Sequence, residues 1–133
     1  MAKKILIVED NSSIAEMLRT QVQKAGYEAV IALDAMLGTR ECVRLRPDLV
    51  ILDLMLPAGG GVSVLRSLRR SLFTKQTPVI VLTGTQDPAM RKQVLEFGVN
   101  IFLQKPHDPD ELMALIAKLL SVEEKTNASA PNP

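Results

Sequence analysis

The sequence predicts a doubly wound α/β domain, a five-stranded parallel sheet with helices on both faces. Five short runs, at residues 5–8, 29–33, 49–52, 79–82 and 101–103, are apolar at nearly every position. Such continuity implies strands buried on both sides, as in a parallel sheet covered by helices. The longer segments between the runs have helical period, and strict strand–helix alternation gives right-handed crossovers within one sheet. The chain has 133 residues, 47% of them apolar, which suits one domain with one ordinary core.

Each connecting segment carries its own start or stop signals. In the first, Ser13 and Glu16 make a capping-box pattern, Ile14, Leu18 and Val22 recur at four-residue steps, and Gly26 suits a left-handed helix end. The second helix is expected over about 35–46 and the third over about 62–73, with Gly38 and Ser63, Ser67 and Ser71 lowering their local propensity. Asp87-Pro88 opens the fourth as N-cap and first helical residue; Met90, Val94 and Phe97 share a face and Gly98 closes it. The fifth repeats this opening with Asp108-Pro109 and Glu111, followed by Leu112, Leu115, Ile116 and Leu119. The domain is expected to span 3–121. Residues 122–133 are expected to form a flexible tail, because Thr126 to Pro133 offers no large apolar side chain.

Composition excludes several classes of function. A net charge of +1, from 16 Lys and Arg against 15 Asp and Glu, provides no long-range field to draw the chain to nucleic acid or an anionic membrane. The lone Cys42 falls in a helical pattern and reads as a buried thiol, without a disulfide partner. The apolar run after Lys3 and Lys4 is too short for a signal peptide, and no run approaches a membrane span, so a cytoplasmic protein is expected.

Ligands of such sheets bind outside the carboxyl ends of the strands. There the sequence places Glu9 and Asp10 after the first strand, Asp53 after the third, Thr83 at the end of the fourth and Lys105 after the fifth. Three carboxylates gathered by adjacent strands repel one another unless a cation lies between them, and a hard ion such as Mg2+ suits one to three carboxylates completed by water and phosphate. Lys105, held before Pro106, directs its charge back over the strand ends towards an anion. Thr83 offers a hydroxyl for a phosphoryl oxygen, with Gly84 leaving room beside it.

In order and spacing, four pieces resemble the receiver domain of two-component response regulators: Ile5-Leu6-Ile7-Val8-Glu9-Asp10-Asn11, residues 47–57 with Gly61, Pro78-Val79-Ile80-Val81-Leu82-Thr83-Gly84, and Gly98 through Lys105-Pro106. The resemblance covers about residues 3–120, and a stand-alone, chemotaxis-regulator-like switch is its nearest form. It implies a flavodoxin-like strand order 2-1-3-4-5, Asp53 as phosphoacceptor, and Mg2+ held by Glu9, Asp10, Asp53 and the backbone carbonyl of Met55. It also implies that Thr83 and Lys105 contact the phosphoryl group, and that Phe102 turns inward as Thr83 moves. The implied partners are a sensor histidine kinase or histidine phosphotransfer protein, and a downstream effector reading the face of the fourth helix, fifth strand and fifth helix. Direct binding to nucleic acid or membrane is not expected. A receiver-like docking module that works without phosphorylation is the alternative. A flavin carrier fits less well, because Glu9-Asp10 would repel a phosphate where such a carrier binds one.

The chain departs from the family pattern in three places. Residues 57–61 are rich in glycine and lack an acid before the last Gly. His107 follows Lys105-Pro106 where an apolar residue is commoner, and is read as a loop residue. Met55 and Thr85 flank the site with neither acid nor amide to orient a water, so slow self-dephosphorylation is expected.

Overall fold

A computed structural model describes residues 2–56, 60–85 and 87–129, with side chains to Ser121. Its elements are β1 (Lys4–Val8), α1 (Ser12–Lys24), β2 (Glu28–Ala32), α2 (Ala35–Leu45), β3 (Leu49–Leu52), α3 (Gly60–Arg70), β4 (Val79–Thr83), α4 (Pro88–Leu95), β5 (Ile101–Gln104) and α5 (Pro109–Ser129). All strand pairs are parallel, in the order β2-β1-β3-β4-β5.

Alternation along each central strand divides the core into two layers. Leu6 and Val8 of β1 face Ala35 and Cys42 of α2, Val64, Leu65 and Leu68 of α3, and Val94 of α4. Ile5 and Ile7 face Leu18 and Val22 of α1 and Leu112, Ile116 and Leu120 of α5. This two-sided burial is why β3 is apolar throughout and β1 and β4 are apolar apart from Lys4 at the start of one and Thr83 at the end of the other. The outer strands differ from the sequence expectation: β2 and β5 are mostly half-buried, because an edge strand has a neighbour on one side only.

Several helix ends also differ. Asn11, and not Ser13, caps α1, its side-chain oxygen accepting the Ile14 N–H at 3.0 Å. The helix begins two residues earlier than the Ser13–Glu16 pattern suggests, because the first carboxamide after the strand reaches the free N–H groups. The third helix spans Gly60–Arg70. It stops short because Thr74 turns its hydroxyl onto the Leu68 carbonyl at 2.8 Å and Arg69 reaches the carbonyls of Thr74, Lys75 and Thr77. Gly38 has a packing role that propensity conceals: a Cβ there would lie 2.9 Å from a Val8 methyl, so α2 sits tight on β1. Finally, α5 runs to Ser129, into the stretch expected as a tail; residues 130–133 lie outside those described. No described helix is long and apolar enough to cross a membrane.

Cys42 is buried as expected, and burial, aided by the Glu41 charge, pushes its thiol up to about 12. The folded chain therefore holds that proton more tightly than the unfolded one. Its contribution to stability is intact below the ordinary thiol value of 9.0 and declines as pH rises from there towards 12. Native protein at pH 8 is expected not to react with Ellman's reagent, whereas urea-unfolded protein releases one equivalent. Fast reaction of the native thiol would contradict this burial.

Candidate functional site

The carboxyl ends of β1, β3, β4 and β5 converge because the backbone ladder continues past the last strand residues. The Glu9 N–H donates to Ala32 O at 3.0 Å, the Asp53 N–H to Val8 O at 3.0 Å, and the Lys105 N–H to Thr83 O at 2.9 Å. These bonds fix the backbones while the side chains leave the ladder at one pole of the sheet. The Lys105-Pro106 peptide is cis.

Lys105 is the centre of the arrangement. Its Nζ donates to Glu9 Oε1 and, at 3.1 Å, to Asp53 Oδ2. Glu9 is 2% exposed and Asp53 6%, whereas Asp10 stands in solvent. Oxygens of Glu9, Asp10 and Asp53 lie within 4.8 Å of one another, as the sequence predicts. The second oxygen of each buried acid also accepts a backbone N–H, from Met55 at Asp53 Oδ1 (3.2 Å) and from Asn11 at Glu9 Oε2 (3.2 Å). Lys105 thus pairs with two acids from different strand ends.

One ammonium stands against three carboxylates at this site. Burial raises the Glu9 pKa, only partly opposed by the bond from Lys105 and reinforced by the Asp53 charge. Burial alone would lower that of Lys105, yet its bonds to Glu9 and Asp53 outweigh burial and raise it. A buried carboxylate that remains costly to ionise beside its own lysine calls for more positive charge. Three oxygen ligands, two of them dry and one open to solvent, fit a hard divalent cation that keeps several waters.

Thr83 is fully buried, and its hydroxyl oxygen accepts the Thr85 N–H at 3.4 Å. It lies two residues past Val81, the partner of Leu52, and so just beyond the level of Asp53 on the neighbouring strand. The Met55 side chain is exposed, so any role in the site falls to its backbone. Phe102 is half-buried against the α2–α3–α4 layer, with the Arg91 guanidinium carbon 4.8 Å from its ring centroid. His107 is a loop residue whose Nε2 lies 3.5 Å from Gln21 Oε1. Gly84 is not needed for space, since a Cβ there would meet nothing.

Gly61 is the residue whose reason sequence reading misses. A Cβ on it would lie 2.6 Å from Asp53 O and 2.7 Å from Leu54 Cα, and its N–H donates to Leu54 O at 2.9 Å. The start of α3 is thereby pressed against the backbone that carries Asp53. Pro57, Ala58 and Gly59 of the glycine-rich loop lie outside the described residues.

Comparison with known proteins agrees with this geometry. The sequence model of the response regulator receiver domain matches residues 5–117. The chain is 36% identical over 117 residues to the DNA-binding dual master transcriptional regulator RpaA of a Synechocystis species, covering 88% of this chain and 48% of the relative. It is 35% identical over 120 residues to the phosphate regulon transcriptional regulatory protein PhoB of Escherichia coli, covering 90% and 52% respectively. The chain thus spans about half the length of these curated relatives. Among solved structures, a CheY-like receiver domain protein from Methanospirillum hungatei superposes with a TM-score of 0.89 at 26% identity, covering 94% of this chain and 98% of that one. The receiver domain of sensor histidine kinase PA1611 from Pseudomonas aeruginosa, solved with magnesium coordinated in its active site cleft, gives 0.83 at 27% identity, covering 91% and 99%.

Proposed function

Because the chain belongs to the response regulator receiver domain family, whose members are phosphorylation-activated switches, we propose that Asp53 is its phosphoacceptor and that the reaction depends on Mg2+. The observation that carries this reading is Lys105, which ties together two nearly dry carboxylates from neighbouring strands. A docking scaffold has no use for so costly a cluster.

In the reaction an Asp53 carboxylate oxygen forms a bond to phosphorus as the bond from phosphorus to the donor imidazole breaks, the electron pair leaving with that nitrogen. Lys105 is already on Asp53 Oδ2 and remains beside the added oxygens, where its charge offsets theirs. Mg2+, held by Glu9, Asp10, Asp53 and the Met55 carbonyl, would neutralise charge on the transferring group. Phosphorylation replaces one negative charge by about two, by analogy with other phosphoresidues. Thr83 then gives up the Thr85 N–H and donates its hydroxyl to the phosphoryl group. The space it vacates takes Phe102 inward, changing the face of α4, β5 and α5 that an effector reads.

Residues 3–121 form the receiver unit of this proposal, in a cytoplasmic setting, with a sensor histidine kinase or phosphotransfer protein as donor. Acetyl phosphate with Mg2+ should add one phosphoryl group by intact mass, and chelation should prevent it. No addition, together with no Mg2+ binding at millimolar concentration, would favour a docking module that works without phosphorylation. The exposed Met55 and the half-buried Thr85 give an attacking water neither an acid nor an amide. Decay of the label should therefore take minutes or longer, and complete loss within seconds would overturn that expectation.

A further inference from the structure

At the opposite pole of the sheet, where β3 and β4 begin, large apolar side chains stand in solvent beside basic ones. Leu72 is 81% exposed, Phe73 67% and Val43, one helical turn before Arg46, 71%. The Arg46 guanidinium carbon lies 3.5 Å from the centroid of the Phe73 ring. Arg46 ends α2 in the left-handed region, φ 48°, where glycine or asparagine is preferred, and it is the one described non-glycine residue with positive φ. That unfavourable backbone presents an arginine stacked on a phenylalanine, two residue types enriched at protein interfaces. A groove of about 290 Å³ runs beside them, lined among others by Arg46, Leu72, Phe73, Lys75 and Gln76.

Charge is distributed to match. The charged side chains that line the groove are Arg46 and Lys75 against Asp48. The Asp48 carboxylate accepts the Lys4 N–H at 2.7 Å, which leaves two cations to one acid at the groove. Neither Arg46 nor Lys75 forms a salt bridge among the described residues. We propose that this pole docks an acidic segment of a partner protein. A large apolar side chain of that segment covers Leu72 and Phe73, and its carboxylates meet Arg46 and Lys75. An exposed leucine in the patch favours a protein over a nucleic acid, whose phosphates gain nothing from covering it. Asp48 and Asp53 stand at opposite ends of β3, roughly 16 Å apart at ~3.3 Å per residue, so a segment docked at this pole does not touch Asp53.

The test uses 15N-labelled full chain titrated with a helical peptide of Glu and Leu, with the same peptide carrying Ser for Leu, and with duplex DNA. The Glu–Leu peptide should shift the amides of Val43, Arg46, Leu72, Phe73 and Lys75, with or without beryllofluoride at Asp53. Arg46→Gly, which suits that backbone and leaves the fold intact, should weaken binding about tenfold, the scale of losing one interface anchor, as should Phe73→Ser. Shifts confined to other surfaces, equal binding by the Ser peptide, stronger binding by DNA, or undiminished binding by both variants would each overturn the proposal. So would concentration-dependent dimerisation of the free chain abolished by Phe73→Ser, which would assign the patch to a second copy.

Discussion

Asp53→Asn is expected to take up no phosphoryl group from acetyl phosphate and Mg2+, under conditions in which the unaltered chain gains one. The substitution keeps side-chain volume, and its amide oxygen can still accept the Met55 N–H that Asp53 Oδ1 accepts at 3.2 Å. What it removes is the nucleophile: an amide oxygen is too weak to attack phosphorus, and an amide is a poorer ligand for a hard dication. Lys105 keeps Glu9, so the pole of the sheet does not lose its central pair. Circular dichroism should be unchanged while the mass increment disappears. A matching substitution, Asp48→Asn, alters an acid that serves the Lys4 N–H at the other end of β3 and should leave labelling intact. Label retained by Asp53→Asn would place the phosphoacceptor elsewhere and remove the basis of the proposed function.

Gly61→Ala should be the most damaging single methyl in the site. The added Cβ would meet Asp53 O at 2.6 Å and Leu54 Cα at 2.7 Å, both backbone atoms that no rotamer change can move aside. Overpacking of this kind costs about 1–3 kcal/mol, against which the lower conformational entropy of an unfolded chain without that glycine returns only about 0.4–1 kcal/mol. The urea midpoint should fall with little change in slope. Because the displaced atoms carry Asp53, phosphoryl uptake should slow as well. Gly84→Ala provides the contrast: it has open space, and its stability should stay within about 0.5 kcal/mol of the parent. Equal effects of the two substitutions would mean that α3 does not press on β3 as described.

Much of this site is legible in sequence because each residue is anchored to a strand end. Once Ile5 to Val8 is a strand, the parity of the pleat leaves little freedom in where Glu9 emerges, and the same holds for Asp53 after Leu52 and Lys105 after Gln104. Helix ends are less legible. Asn11 and Ser13 are both good caps, and which is used depends on where the chain leaves β1. Gly61 is harder still. Its glycine is visible, but the backbone it must clear belongs to residues seven and eight positions earlier, and no local pattern reports that approach.

By itself, then, the sequence determined the alternation of strands and helices, the two-sided burial of the central strands and the set of residues at the carboxyl pole, because these follow from periodicity and short-range chemistry. Tertiary structure alone decided the partners. Lys105 lies 52 positions from Asp53 and 96 from Glu9, and only the closing of the sheet sets its ammonium on both. It likewise decided that β5 is half-buried, that Arg69 ends up bound to carbonyls of two other segments, and that Arg46 meets Phe73 in solvent. The physical reason is common to all of these: burial and charge pairing depend on which segments are neighbours in space, and a sequence orders its residues along one dimension.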